Sequence, residues 1–224
     1  LQEANAIGML DMNNNSFSQI IGLGTKDFSA AGYEIDPSHK DGKIELRPAS
    51  VSGFYQPDSI AVYEKSGKTY LVMANEGDTR EDDGDKARVK DTSLKNSSPS
   101  DLQQLNISTT DSSEGELLTF GGRSFTIRDE NGDIVFDSCN ELDAKAIELG
   151  IYDDNRSDDK GVEPEGVALL EIGGRTLAFI GLERTTQSAI AIYDITDPAN
   201  ATFLDMIVDA GDLSPEGLQT FMLD

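Results

Sequence analysis

The stretch QPDSIAVYEKSGKTYLVMANEGD, residues 56–78, is matched later in the chain by EPEGVALLEIGGRTLAFIGLER, residues 163–184. Each opens with a proline, an acidic residue, a small residue and an aliphatic residue, after one leading residue. An apolar run then leads through a short Ser-Gly or Gly-Gly turn into a second apolar run. Apolar runs joined by such turns are typical of β-hairpins. The pattern therefore predicts two hairpins of the same design.

The opening of this pattern occurs a third time, in SPEGLQTFMLD at residues 214–224. A second repeated unit, GMLDMNNNSFSQIIGLGTKDFS from Gly8 and AIYDITDPANATFLDMIVDAGDLS from Ala191, has two apolar strands around a polar turn. From Pro164 to Pro215 the chain advances 51 residues, which is close to the ~40–50 residues of one β-propeller blade. This spacing favours a propeller over a sandwich or a barrel.

These repeats predict an all-β fold, a partial β-propeller of antiparallel four-stranded blades in a single domain, residues 1–224. The expected blade units lie near residues 8–55, 56–162 and 163–213, with the start of another at 214–224. Blades bury their faces against one another, so an open array leaves apolar surface exposed. We therefore expect other blades of the same protein, or a partner chain, to complete the propeller.

The second unit contains an insertion. Residues 124–138, SFTIRDENGDIVFDS, predict a hairpin because Asn-Gly favours a tight turn. Residues 140–150, NELDAKAIELG, have apolar side chains at helical spacing before a terminal glycine, and so predict one short helix. Two long polar connections, residues 36–50 and 78–111, are expected to be functional or mobile surface.

The charge and the scarce imidazoles and thiols exclude several functions. With 42 acidic and 18 basic residues the net charge is −24, which repels nucleic acids and anionic lipids. No apolar run approaches the ~20 residues of a membrane-spanning helix, so we expect no membrane insertion. One cysteine, Cys139, and one histidine, His39, cannot supply a multi-histidine or thiolate zinc site. His39 is predicted to lie in a surface loop.

The pattern Asn-x-Ser/Thr is frequent in this chain. It accounts for 5 of the 11 asparagines, an excess that predicts an extracellular or cell-surface glycoprotein. Turn composition offers an alternative explanation, because asparagine and serine are also turn residues. The predicted glycosylation sites are Asn14, Asn96, Asn106, Asn155 and Asn200.

Acidic residues recur at the ends of the predicted strands, where a propeller would bring them to a central channel. Oxygen ligands without histidine suit calcium, which takes ~6–8 oxygens, better than zinc. Alternatively, these side chains cap strand ends or bond to backbone amides. The acidic segment 76–85 also contains Asp82, Asp83 and Asp85 as candidates. The predicted calcium ligands are Asp58, Asn75, Glu76, Asp78, Glu163, Glu165, Glu183 and Glu216.

Six ordered motifs carry a family resemblance: YQPDSIAVYE, ANEGDTRE, RSDDKGVEPEGV, IGLER, IAIYDITDP and LSPEGL. Together they resemble the choice-of-anchor I domain, over roughly Gly8 to Leu218. The resemblance implies a secreted or surface-anchored propeller like those of mesenchyme-specific cell-surface glycoproteins, and of bacterial extracellular proteins often labelled alkaline-phosphatase-like.

Two functions follow as expectations. The first is a structural or adhesive extracellular module in which calcium orders the loops and the acidic surface meets matrix, mineral or sister subunits. The second is a metal-dependent phosphoesterase in which clustered carboxylates hold cations that bind phosphate. The second function needs positive charge near the carboxylates, for which Arg80 and Arg184 are the candidates.

Overall fold

The computed structural model describes residues 1–80 and 84–222, and in these residues the protein is mostly β with one α-helix, as expected. Helix α1 spans Glu141–Glu148, and short 3₁₀ turns lie at Val89–Asp91, Ser93–Asn96, Ser100–Leu102 and Asp154–Arg156. The strands are β1 (Ala6–Asp11), β2 (Ser16–Gly22), β3 (Thr25–Asp27), β4 (Ser52–Phe54), β5 (Ser59–Lys65), β6 (Lys68–Asn75), β7 (Lys86–Arg88), β8 (Asn106–Ser108), β9 (Leu118–Thr119), β10 (Ser124–Asp129), β11 (Ile134–Asp137), β12 (Pro164–Ile172), β13 (Arg175–Leu182), β14 (Ser188–Asp194) and β15 (Thr202–Asp209).

Two four-stranded antiparallel sheets form the centre of the fold. Their orders are β5-β6-β10-β11 and β12-β13-β14-β15, so hydrogen-bonded neighbours follow one another along the chain apart from the insertion between β6 and β10. The first hairpin of each sheet turns at two residues with positive φ, Ser66-Gly67 and Gly173-Gly174. That geometry matches the twist of the flanking strands. The two predicted hairpins are thus confirmed, as is the hairpin of β10 and β11.

The two sheets pack face to face. Val72 and Ala74 of β6 and Phe125 of β10 contact a layer of alternating residues from the second sheet that includes Ala191 and Tyr193. Because side chains alternate between the faces of a strand, every second residue enters this layer. Helix α1 closes the core from one side through Leu142 and Ala146.

The hairpin of β1 and β2 covers part of the opposite face of the first sheet. Leu23, which directly follows β2, joins Tyr55 and Met73 in a small core. Ile60 and Val62 of edge strand β5 pair with β6 on the same face but remain 48% and 57% exposed. The hairpin therefore covers only part of this apolar face.

The long connections contribute buried side chains to a second core, while residues 40–45 remain exposed surface. Strands β3, β4 and β9 form one small sheet and β7 and β8 another. The connections supply Ala49, Val89 and Leu105 to this core, where they join Phe28 and Ile35. Strand β4 pairs in parallel with β9, from a distant part of the chain. The four strands within residues 8–55 therefore lie in two different sheets.

His39 lies in a loop, as expected, but its side chain is mostly buried there. Its side chain is only 15% exposed, and its Nδ1 lies 2.5 Å from Oδ2 of Asp158, which is itself buried. Arg88 binds the same carboxylate oxygen. The Asp158 carboxylate thus holds the loop that carries the histidine.

Candidate functional site

The three Pro-acid openings share an unusual backbone conformation. Gln56, Glu163 and Ser214 directly precede the prolines and have φ values of 43°, 51° and 54°. Residues other than glycine seldom adopt positive φ, and a following proline restricts the backbone further. The three openings therefore share one local backbone conformation. Among the described residues a strand follows only the first two openings, and Leu223 and Asp224 of the third lie outside them.

Glu163 is the most deeply buried carboxylate near these openings. Its side chain is 1% exposed and lies between two cations. Arg156 donates from Nε to Oε1 at 2.7 Å, and Lys160 Nζ lies 2.8 Å from Oε2. Burial of a carboxylate is costly unless it is paired, and these two partners provide that pairing.

Two further carboxylates meet Glu163 from the ends of neighbouring strands. Glu76 follows β6 of the first sheet and Glu183 follows β13 of the second. One carboxylate oxygen from each of these three residues lies within 4.8 Å of the others. Gln2 donates to Glu76 at 2.7 Å, and Arg184 Nη2 lies 2.7 Å from Glu183 Oε1. Both sheets therefore contribute to one group of carboxylates.

Four more predicted ligands surround this group. Burial, and then the negative charges of Asp78 and Glu216, raise the pKa of Asp58 against the opposing charge of Lys160. Glu165 interacts with Glu183, Glu76 and Asp58. We refer to the whole set as the acidic cluster: Asp58, Glu76, Asp78, Glu163, Glu165, Glu183 and Glu216.

Negative charge in the acidic cluster exceeds the positive charge that neutralises it. Burial raises the pKa of Glu76 to about 7 despite the opposing effect of Lys160. Burial, together with the charge of and hydrogen bond to Glu183, raises the pKa of Glu165 to about 8. The carboxylates of Glu163 and Glu76 outweigh the desolvation of Lys160 and raise its pKa. The cluster can therefore take up further positive charge, as protons or as a metal cation.

Asn75, the eighth predicted ligand, forms its side-chain contacts within the first sheet. It is fully buried, and its amide lies 3.4 Å from the hydroxyls of Ser124 and Thr126. Successive residues at a strand end point to opposite sides, so Asn75 and Glu76 cannot both face the cluster. The hydrogen bonds thus direct Asn75 into the first sheet, and its role as a calcium ligand stays a prediction.

The acidic segment 76–85 is divided between two networks. Asp85 accepts from Ser108 Oγ at 2.8 Å and pairs with Arg80, which also binds Asp111 at 2.5 Å. This network does not include residues of the acidic cluster. Asp82 and Asp83 lie outside the described residues. Arg80 is thus held away from the carboxylates that it was expected to assist, whereas Arg184 contacts them.

The predicted glycosylation sites differ in exposure. Asn14, Asn96, Asn155 and Asn200 are exposed. Asn106 lies in β8, is half-buried and donates to Asp159 at 3.3 Å. A glycan at Asn106 would have to replace that hydrogen bond.

Sequence reasoning missed the basic residues that hold the acidic cluster together. Arg156 and Lys160 lie in the RSDDKG segment, which entered the sequence-based prediction only as part of a family motif. One signal was present, since Lys160 stands three residues before Glu163. Gln2, far away in sequence, gave no such signal.

Fold and site together define a mostly β protein in which repeated antiparallel sheets bring carboxylates to one end. The family model for the choice-of-anchor I domain matches residues 1–198, so the chain belongs to this family. Choice-of-anchor domains occur in surface-anchored or secreted proteins. Comparison with curated proteins and with solved structures found no match. Among the described residues, no helix is long and apolar enough to cross a membrane.

Proposed function

We propose that this chain is an extracellular or cell-surface calcium-binding module with a structural or adhesive role. The observation that carries the proposal is the convergence of Glu76, Glu163 and Glu183, whose carboxylate oxygens lie within 4.8 Å of one another. These residues come from both sheets, so a cation bound among them would tie the sheets together. Such a cation would contribute to stability rather than to turnover.

The donor set favours calcium over other metals. The acidic cluster offers carboxylate oxygens and no histidine or cysteine, and the carbonyl oxygen of Gly77 lies beside it, 2.6 Å from Lys160 Nζ. Calcium accepts ~6–8 such oxygens in flexible geometry, whereas magnesium requires a near-ideal octahedron. The partial exposure of Glu165, Asp78 and Asp58 leaves room for the ion to enter.

We further propose that the sheets are blades of a β-propeller. Both four-stranded sheets present their first strands, β5 and β12, beside each other, and the acidic cluster lies at the ends of these strands. Exposed Ile60 and Val62 continue the face that β1 and β2 already cover. Two more strands beside β1 would complete that cover, supplied by other blades of the same protein or by a partner chain.

The extracellular and glycoprotein parts of the proposal rest on other observations. The family occurs in surface-anchored or secreted proteins, and four of the five predicted glycosylation sites are exposed. The −24 charge would let the surface bind cationic matrix components or the calcium ions of a mineral. Calcium could also bridge it to sister subunits.

Isothermal titration calorimetry with calcium chloride tests the binding proposal. The chain should bind calcium, and Glu183→Gln should weaken binding about tenfold or more because it removes one charged ligand. Glu114→Gln, in an exposed turn outside the acidic cluster, provides the matched control. Absence of calcium binding, or equal losses in both variants, would contradict the proposal.

A metal-dependent phosphoesterase is the second candidate, and one observation favours it. Arg184 is 47% exposed and contacts Glu183 at the edge of the acidic cluster, where it could bind a phosphate oxygen beside a metal. A calcium- or magnesium-loaded sample should then hydrolyse p-nitrophenyl phosphate, and Arg184→Ala should abolish turnover. Absence of turnover in the loaded protein would rule this candidate out.

A further inference from the structure

A lysine occupies the centre of the acidic cluster. Lys160 Nζ contacts Glu76 Oε1, lies 2.8 Å from Glu163 Oε2 and donates to the carbonyl oxygen of Gly77 at 2.6 Å. An ammonium group has three N–H donors, and these three oxygens match them. The side chain is 13% exposed, so the ammonium is held as a bound cation among the oxygens that a metal ion would use.

Calcium and this ammonium cannot share the position. Both require oxygens of Glu76 and Glu163, and two cations a few ångströms apart repel strongly where water is scarce. Calcium must therefore displace Lys160 Nζ from these carboxylates in order to bind them.

The surroundings allow Lys160 to leave. Its four-carbon stem is flexible, and lysine side chains readily extend their ammonium groups into water. The lysine lies between α1 and β12 rather than within a strand, so its movement breaks no sheet hydrogen bonds.

We propose that Lys160 is a tethered competitor that sets the calcium affinity of the acidic cluster. The inference rests on the proposed calcium site. It adds the residue that determines the calcium concentration at which the site fills. At low calcium, the ammonium neutralises Glu76 and Glu163 and keeps the two sheets joined. At higher calcium, the ion takes its place, so the site fills only near the ~10⁻⁴–10⁻³ M range typical of extracellular calcium modules.

Amine labelling of the unaltered protein tests this displacement directly. The chain is acetylated with an amine-reactive reagent with and without calcium, and peptide mass spectrometry measures modification at each lysine. Modification of Lys160 should rise with calcium, because the released ammonium becomes accessible. Lys145, which pairs with Glu148 on α1, should stay constant. Calcium binding that leaves Lys160 protected would overturn the proposal.

Replacing the lysine tests the affinity. Lys160→Met removes the competing charge and should tighten calcium binding in calorimetry by about tenfold or more. Lys145→Met makes the same change in net charge outside the site and should leave affinity unchanged, and Lys160→Arg should not tighten binding. Unchanged or weaker binding by Lys160→Met would overturn the proposal. If that variant fails to fold at any calcium concentration, the labelling of the unaltered chain decides whether calcium displaces Lys160.

The two proposals can fail separately. If the unaltered chain binds no calcium but Lys160→Met does, the calcium function fails and the role of Lys160 as competitor stands. If the unaltered chain binds calcium and neither labelling nor affinity depends on Lys160, the calcium function stands and the competitor is rejected. If neither protein binds calcium, both are rejected.

Discussion

At the scale of single residues, the acidic cluster makes stability depend on pH. The pKa values of Glu76 and Glu165 are raised to about 7 and about 8 by burial and neighbouring carboxylates. Between their ordinary pKa and these values the folded state retains protons that the unfolded state has lost. In chelator, their contribution to stability is therefore present at low pH and is lost as pH rises through about 7–8.

The first prediction concerns Glu165. In chelator, the unaltered chain should have a higher Tm at pH 5.5 than at pH 8.5, and Glu165→Gln should flatten this dependence because an amide does not titrate. Glu171→Gln, an exposed position on the same strand, should retain the slope of the unaltered chain. Identical pH profiles for both variants, measured by differential scanning calorimetry, would contradict the account of the cluster.

The second prediction concerns Gly77, whose carbonyl binds Lys160. Gly77 has a φ of 98°, and a Cβ here would overlap the backbone of Gly121. Gly67 has a φ of 73° with open space around it. In urea unfolding, Gly67→Ala should cost about 1 kcal/mol from conformation alone, and Gly77→Ala about 1–3 kcal/mol more from overpacking. Equal costs would show that the two chain segments do not approach so closely.

At the scale of elements, Tyr193 joins the two sheets to the helix. Its ring meets Phe125 of the first sheet edge-on, with centroids 4.6 Å apart, and its hydroxyl donates to Glu141 of α1 at 2.9 Å. We predict that Tyr193→Ala lowers the free energy of unfolding by about 3–5 kcal/mol, and Tyr193→Phe by about 1 kcal/mol. A small loss for the alanine variant in urea unfolding would mean that the sheets do not pack here.

Elements with local signals could be predicted from the sequence. The hairpin of β5 and β6 follows from two apolar runs around Ser66-Gly67, and α1 from apolar spacing before a glycine. Pairings between distant segments had no such signal. Strand β4 pairs with β9 more than sixty residues later, and both strands are too short for a clear pattern. This explains why the long connections were expected to be surface rather than a second core.

The candidate site, like the fold, could be predicted from the sequence only in part. The repeated Pro-acid openings located Asp58, Glu165 and Glu216 because each acid follows the same turn. Side-chain direction at a strand end was not predictable, as Asn75 shows by pointing into the sheet. The spacing of Lys160 before Glu163 was a local signal, but the contact of its ammonium with Glu76 was not predictable, because Glu76 lies far away in sequence.

At the scale of the whole molecule, the partly exposed apolar face of the first sheet should cause copies of the chain to associate. Ile60 is 48% exposed on edge strand β5, and Ile134 is 46% exposed on the opposite edge strand β11. If the face around Ile60 is where further sheets pack, Ile60→Lys should reduce self-association of the chain in light scattering, whereas Ile134→Lys should have little effect. Equal effects, or none, would argue against a packing face at β5.

The central claim is that calcium binds the folded chain through carboxylates of both sheets. A thermal melt in chelator, repeated across a calcium titration with magnesium as the comparison, tests it most directly. For a dissociation constant of ~1 mM, 10 mM calcium should stabilise the chain by about 1.4 kcal/mol and raise Tm by ~3–6 °C, an effect that magnesium does not reproduce. A Tm unchanged at 10 mM calcium, or raised equally by magnesium, would contradict the claim.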